Sequence, residues 1–155
     1  MKFFIKGFFS VFVISMFLLV GVNSHAFFGG KFTTLTPKDG KLTIPVNKID
    51  DGIAHYYKAK SADGTMVDFF VVKSSDGVIR AAIDSCDVCY RSGKGYVQDG
   101  NVMVCTNCNR RFATDRINEV KGGCNPAPLA RVMDGDNLVV SMTDINANAW
   151  YCKFK

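Results

Sequence analysis

The apolar positions of this chain fall in short runs rich in β-branched and aromatic residues, and clusters of Gly, Asp, Asn and Pro separate them. That pattern predicts strands joined by tight turns. Leu42 to Val46 reads as a first strand. Ile53 to Ser61 and Met66 to Lys73 flank Asp63-Gly64, a hairpin signal. Ser75-Asp76-Gly77 then turns the chain into a further strand, Val78 to Asp84. Gly95 to Gln98 and Val102 to Val104 flank Asp99-Gly100-Asn101 as a second hairpin, and Leu129 to Met133 and Leu138 to Met142 flank Asp134-Gly135-Asp136 as a third. Two stretches read as short helices: Ala113 to Val120, with Thr114 as its cap, and the tail from Thr143 or Asp144. The predicted class is α+β, with β meanders and hairpins predominant.

The first 26 residues do not share this pattern. Lys2 and Lys6 precede an apolar run from Phe8 to Val22, and Asn23-Ser24-His25-Ala26 places small residues at a cleavage position. This is the layout of a secretory signal peptide. The run is short for a spanning helix, which needs roughly 20 apolar residues. The expectation is export to a bacterial periplasm after cleavage, with membrane anchoring as the alternative if the run is retained. Residues 27–41, punctuated by Gly29-Gly30, Pro37 and Asp39-Gly40, read as a flexible lead-in. Residues 42–155 then form a single cysteine-rich domain. Of the 19 basic and 14 acidic residues, cleavage would remove two lysines and no acid, leaving a net charge of +3. The lysines are scattered, so nucleic acid is not an expected partner.

The chemistry is concentrated between Cys86 and Cys124, which holds five of the six cysteines. Cys86/Cys89 and Cys105/Cys108 are C-x-x-C pairs, and the hairpin between them is the right length to fold one pair back beside the other. Two such pairs predict a two-knuckle, four-cysteine metal site. A tetrahedral thiolate site suits zinc, a single iron or an iron–sulfur cluster. Cys124, on a Gly-Gly-Cys-Asn-Pro turn, reads either as a further ligand or as the disulfide partner of Cys152. Neither pair is followed by His, so covalent haem is not expected. His55 and the methionines read as packing or surface residues, and Arg110-Arg111 as solvated surface. No Ser-His-Asp set, paired-carboxylate motif or phosphate loop stands out, and no substrate is identifiable. An electron carrier or binding protein is therefore expected, rather than an enzyme by itself.

These residues also carry a family resemblance. Asp84 to Cys89 (acid-x-Cys-Asp-x-Cys), Gly95-Tyr96, Val104 to Cys108, Phe112 and Gly122 to Pro126 resemble the FtrD-like membrane iron–sulfur protein family over roughly residues 54 to 152. The resemblance implies a cysteine-held iron–sulfur or metal domain, with Cys86, Cys89, Cys105, Cys108 and Cys124 as the matching cysteines. It also implies electron transfer or iron handling beside membrane-bound iron-uptake or redox proteins. Export keeps zinc open as the cofactor: Lys2 and Lys6 are not a twin-arginine pair, and the general secretion route passes unfolded chains, which cannot carry a preassembled cluster. Two other readings stand beside the resemblance, a structural zinc binding module and a thiol–disulfide oxidoreductase.

Overall fold

One strand is buried on both faces, and the rest of the molecule is layered on it. In the computed structural model, which describes residues 30–155, this is β4. The strands in chain order are β1 (Phe32–Thr34), β2 (Lys41–Pro45), β3 (His55–Lys60), β4 (Met66–Lys73) and β5 (Ile79–Ile83). They continue as β6 (Tyr96–Asp99), β7 (Val102–Cys105), β8 (Arg111–Ala113), β9 (Val132–Asp134) and β10 (Asn137–Ser141), with helix α1 (Met142–Ala147) after them. The central sheet has the order β1-β3-β4-β5, and two three-stranded sheets, β2-β10-β9 and β6-β7-β8, complete the fold.

Side chains alternate across a strand, so β4 feeds two cores. Val67, Phe69 and Val71 join Leu42, Ile44, Leu138, Val140 and Ile145 on one face. Phe70 and Val72 join Tyr96, Met103, Ile117 and three cysteines on the other. A strand covered on both sides reads as a continuous apolar run, which is what FFVV is. The β-dominant class and the predicted hairpins are therefore present.

Three sequence expectations meet a different outcome. Residues 32–34 of the lead-in form β1, parallel to β3, with Phe32 edge-on to Tyr56 at 5.7 Å and the Leu35 N–H donating to Lys58 O at 2.8 Å. The helix expected over Ala113 to Val120 does not form. Phe112 continues the ladder as β8 and packs edge-on against Tyr96 at 6.1 Å, and the Thr114 N–H donates to Asn101 O at 2.9 Å. Within residues 113–120 one 3-10 turn, Thr114–Arg116, forms, and it has no side-chain cap. Tertiary pairing overrides local propensity here. The tail does start as a helix, with Ser141 Oγ accepting from the Thr143 N–H at 3.0 Å, but α1 stops at Ala147 and a 3-10 turn, Ala149–Cys152, succeeds it.

Arg80 ties the stretch after β8 to the central sheet. It is buried, and its Nε donates to Ile117 O at 2.9 Å while Nη1 reaches Ser74 Oγ and, at 2.8 Å, Asp76. Arg80→Ala leaves a buried carbonyl without its charged donor, so a loss of about 2–3 kcal/mol is expected in urea unfolding. Arg80→Lys is expected to recover little of it, because an ammonium cannot present the same fork. A loss below about 0.5 kcal/mol would show that water replaces the guanidinium at the Ile117 carbonyl. Among the described residues no helix is long and apolar enough to cross a membrane; the apolar run of residues 8–22 lies outside them.

Candidate metal centre

The centre is assembled from three segments that converge on the β6-β7-β8 side of the central sheet. The first is the exit from β5. The Asp84 N–H donates to Asp68 O at 2.9 Å, which extends the ladder up to Ser85 and delivers Cys86 into the core. The Cys89 N–H then points at Cys86 Sγ at 3.2 Å, and the chain makes one 3-10 turn, Tyr90–Ser92, ended by Gly93 in the left-handed region at φ 65°. The second segment is the end of β7. Cys105 pairs with Tyr96 across the hairpin. Its carbonyl accepts the Asn109 N–H at 2.8 Å and its own N–H donates to Arg110 O at 2.9 Å, which closes a tight loop. Asn109 sits at φ 58°, a position that Asn tolerates better than most residues. The N–H groups of Cys108 and Asn107 favour the thiolate of Cys105, and that of Arg110 the thiolate of Cys108. The second pair thus lies on a tight loop closed by backbone hydrogen bonds, and the first opens a 3-10 turn.

The third segment brings Cys124. Residues 127–129 run along the outer edge of β5: Ile83 N–H donates to Ala127 O at 2.8 Å, Ala127 N–H to Ser85 O at 3.0 Å, and Leu129 N–H to Ala81 O at 3.2 Å. That pairing sets the preceding Cys124 beside Cys86. The Tyr96 hydroxyl holds it there by donating to Cys124 O at 2.7 Å.

Five sulfurs result, gathered as two triangles. Cys86, Cys89 and Cys124 lie within 4.8 Å of one another, and so do Cys89, Cys105 and Cys108. Cys89 is common to both. The single foursome expected from the two pairs is thus a five-membered set with one shared corner, and Cys124 belongs to it. Cys152 does not: it lies in the core on the opposite face of the central sheet, with its sulfur accepting the Asp68 N–H at 3.4 Å. Cys124 and Cys152 are both free, so the disulfide alternative is not realised.

Burial grades the set. Cys86, Cys89 and Cys105 are buried, Cys124 is half-buried and Cys108 is exposed. Burial pushes the free thiols of Cys89 and Cys105 up to about 11 and raises that of Cys124. The Arg110 N–H lowers that of Cys108. Asn107 adds a further donor, its Nδ2 standing 3.4 Å from Cys89 Sγ. Soft sulfur donors, sealed on one side and faced by N–H groups, fit a thiolate-bound metal or iron–sulfur group.

Sequence reasoning missed what supports this set. Asp84 is 1% exposed. Its Oδ1 accepts the Tyr96 N–H at 2.7 Å, and its Oδ2 meets Lys155 Nζ at 3.0 Å and Lys31 Nζ at 3.3 Å. Lys155 also pairs with Asp68 at 3.3 Å. A Cβ at Gly95 would run into the Asp84 carboxylate. The acid before Cys86 and the Gly-Tyr before Val97 are therefore two halves of one contact. Both were visible as motifs, but their mutual contact was not. Arg110 and Arg111 are exposed as expected, with Arg111 paired to Asp99 at 2.6 Å, and His55 bonds Asp51 at 2.9 Å.

The comparisons agree with these motifs. A family model described as membrane iron-sulfur containing protein FtrD-like matches residues 49–152, well over half of the chain. No curated protein matches. Among solved structures, the quaternary ammonium Rieske monooxygenase CntA is similar over 65% of this chain and 30% of its own, at 16% identity and a TM-score of 0.45. The chain thus spans less than a third of that protein, and a likeness at this level carries no argument.

Proposed function

Because the chain belongs to the FtrD-like family of membrane iron–sulfur proteins, we propose that its five clustered cysteines hold an iron–sulfur group or a single iron. In this reading the protein serves electron transfer or iron handling linked to iron uptake, on the periplasmic side of a bacterial membrane. Its partners are membrane-bound iron-uptake or redox proteins. The observation that carries the reading is the pair of sulfur triangles meeting at Cys89. When bound, iron supplies a one-electron couple. The chain does the rest. Cys86, Cys89, Cys105, Cys108 and Cys124 bind as thiolates, the N–H groups of residues 107, 108 and 110 favour the charged sulfur, and the buried corners exclude water. Exposed Cys108 gives the set an edge at the surface.

A structural zinc module is the second reading. The tight loop at residues 105–110 favours it, since such loops suit closed zinc sites equally well. The thiol–disulfide oxidoreductase reading rests on Cys108, exposed and with its thiol lowered by the Arg110 N–H, while burial raises the thiol of its pair partner Cys105. Elemental analysis with a visible spectrum, on anaerobically purified protein, separates the three. Iron with charge-transfer absorption that bleaches on reduction supports the first reading, and inorganic sulfide makes it a cluster. Stoichiometric zinc without colour moves the protein to the second. No metal, with oxidised cysteine pairs, moves it to the third.

Loading is expected to depend on pH. The free thiols of Cys89 and Cys105, at about 11, hold their protons at neutral pH and must release them on binding. Apparent affinity therefore rises with pH below that value and is lost on acidification. Chelator competition between about pH 6 and about pH 8 is expected to show roughly a tenfold change per pH unit for each proton released. A flat profile would contradict thiolate ligation.

A further inference from the structure

The first cysteine loop and the C-terminal tail together expose an aromatic patch. Trp150 is 41% exposed and Phe154 53%. Tyr90, which directly follows Cys89, meets both rings edge-on at 5.2 and 5.7 Å. Val88, in the same loop, is also exposed. Arg91 lies 5.7 and 5.9 Å from the rings of Tyr90 and Phe154, and Lys94 and Lys153 are exposed nearby in the chain. Two acids stand at the margin, hydrogen-bonded to neutral groups, so three cations face two carboxylates here. Asp87 accepts from the Tyr151 hydroxyl, and Asp63 accepts from Ser61 and the Thr65 N–H.

Trp and Tyr pair an apolar ring with a polar edge, and with Phe, Arg and Lys they make the side-chain mixture of a membrane–water interface. Unpaired cations beside them match anionic headgroups. The path of the chain adds a second argument. Lys31 and Lys155 share the Asp84 carboxylate, and the backbone of Phe154 runs over Gly93. The described chain therefore enters at the same end as the patch. In the uncleaved chain, residues 23–30 join that end to the apolar run of residues 8–22, a link that reaches at most roughly 28 Å.

We propose that this face rests on an anionic lipid surface. Trp150, Phe154 and Tyr90 sit among the headgroups, and Arg91, Lys94 and Lys153 lie against lipid phosphates. The cysteine loop of residues 86–89 is then held at the membrane. None of this depends on which metal the cysteines bind.

Trp150 is the only tryptophan in the chain, so its emission reads this face in the full-length protein. Vesicles of phosphatidylcholine with phosphatidylglycerol are expected to shift the emission to the blue, and brominated lipid to quench it. Replacing Arg91, Lys94 and Lys153 together by Gln is expected to weaken binding by roughly a hundredfold, about fivefold per cation. Circular dichroism checks that the variant is folded. Emission that is unchanged by vesicles overturns the proposal and leaves the patch to a protein partner. Quenching that is equal in pure phosphatidylcholine and unaffected by the triple replacement also overturns it, because the apolar run alone would then be bringing lipid close.

Discussion

Cys89→Ser is expected to empty the centre, while Cys152→Ser leaves it loaded. Cys89 is the corner common to both sulfur triangles, so its loss reduces each to two sulfurs. Every other cysteine of the set belongs to one triangle only. Cys124→Ser spares Cys89, Cys105 and Cys108, and Cys105→Ser spares Cys86, Cys89 and Cys124. Loss of an outer partner of a metal ligand already costs ~10- to 100-fold in affinity, and loss of the shared sulfur is expected to cost more than about 100-fold. Metal per chain and sulfur-to-metal absorption measure it. Cys152 lies on the other face of the central sheet, with burial holding its thiol at about 11, and it has no part in the set. Full loading of Cys89→Ser would show that the metal sits on one pair and its neighbours, without a shared corner.

Asp84→Ala is expected to be the most destabilising change outside the cysteines. Its carboxylate is almost fully buried and accepts from a backbone N–H and two ammonium groups. The partners differ in weight. Lys155 has a side chain 13% exposed, and Asp84 and Asp68 hold it protonated against the opposing effect of burial. Lys31 is 36% exposed and has water within reach. Removing Asp84 leaves Lys155 with Asp68 as its one remaining carboxylate and strands the Tyr96 N–H in the interior. Breaking a buried pair from one side typically costs about 3–5 kcal/mol. Urea unfolding of the metal-free protein measures this directly, with little salt dependence, because buried pairs are weakly screened. Gly95→Ala is expected to act in the same direction by pushing on the same carboxylate. A loss under about 1 kcal/mol for Asp84→Ala would mean that water replaces the carboxylate, and that β6 does not depend on it.

Much of the site was legible locally. C-x-x-C spacing is a property of a few consecutive residues, and an Asp-Gly turn between two apolar runs brings the pairs together without reference to the rest of the chain. The same holds for the hairpins around Asp63-Gly64 and Asp134-Gly135. What could not be read depended on distant partners. Residues 113–120 have helical spacing, yet Phe112 finds Tyr96, Thr114 finds Asn101, and Ile117 finds Arg80, and these contacts outweigh a few tenths of a kcal/mol of propensity per residue. Residues 32–34 look featureless alone and become a strand because the edge of β3 is open to them.

The sequence by itself determined the β-rich class, the family and the identity of the five cysteines, because each is written in short-range spacing and composition. Only the tertiary structure decided how those cysteines are arranged. Cys124 was equally free to meet Cys152 or the two pairs. Backbone pairing of residues 127–129 with β5 placed it beside Cys86, on the face of the central sheet that Cys152 cannot reach. The sharing of Cys89 and the burial of Asp84 between Lys31, Lys155 and Tyr96 have the same origin. Each joins segments that are far apart in the chain, and only the packing of three sheets on one another brings them within bonding distance.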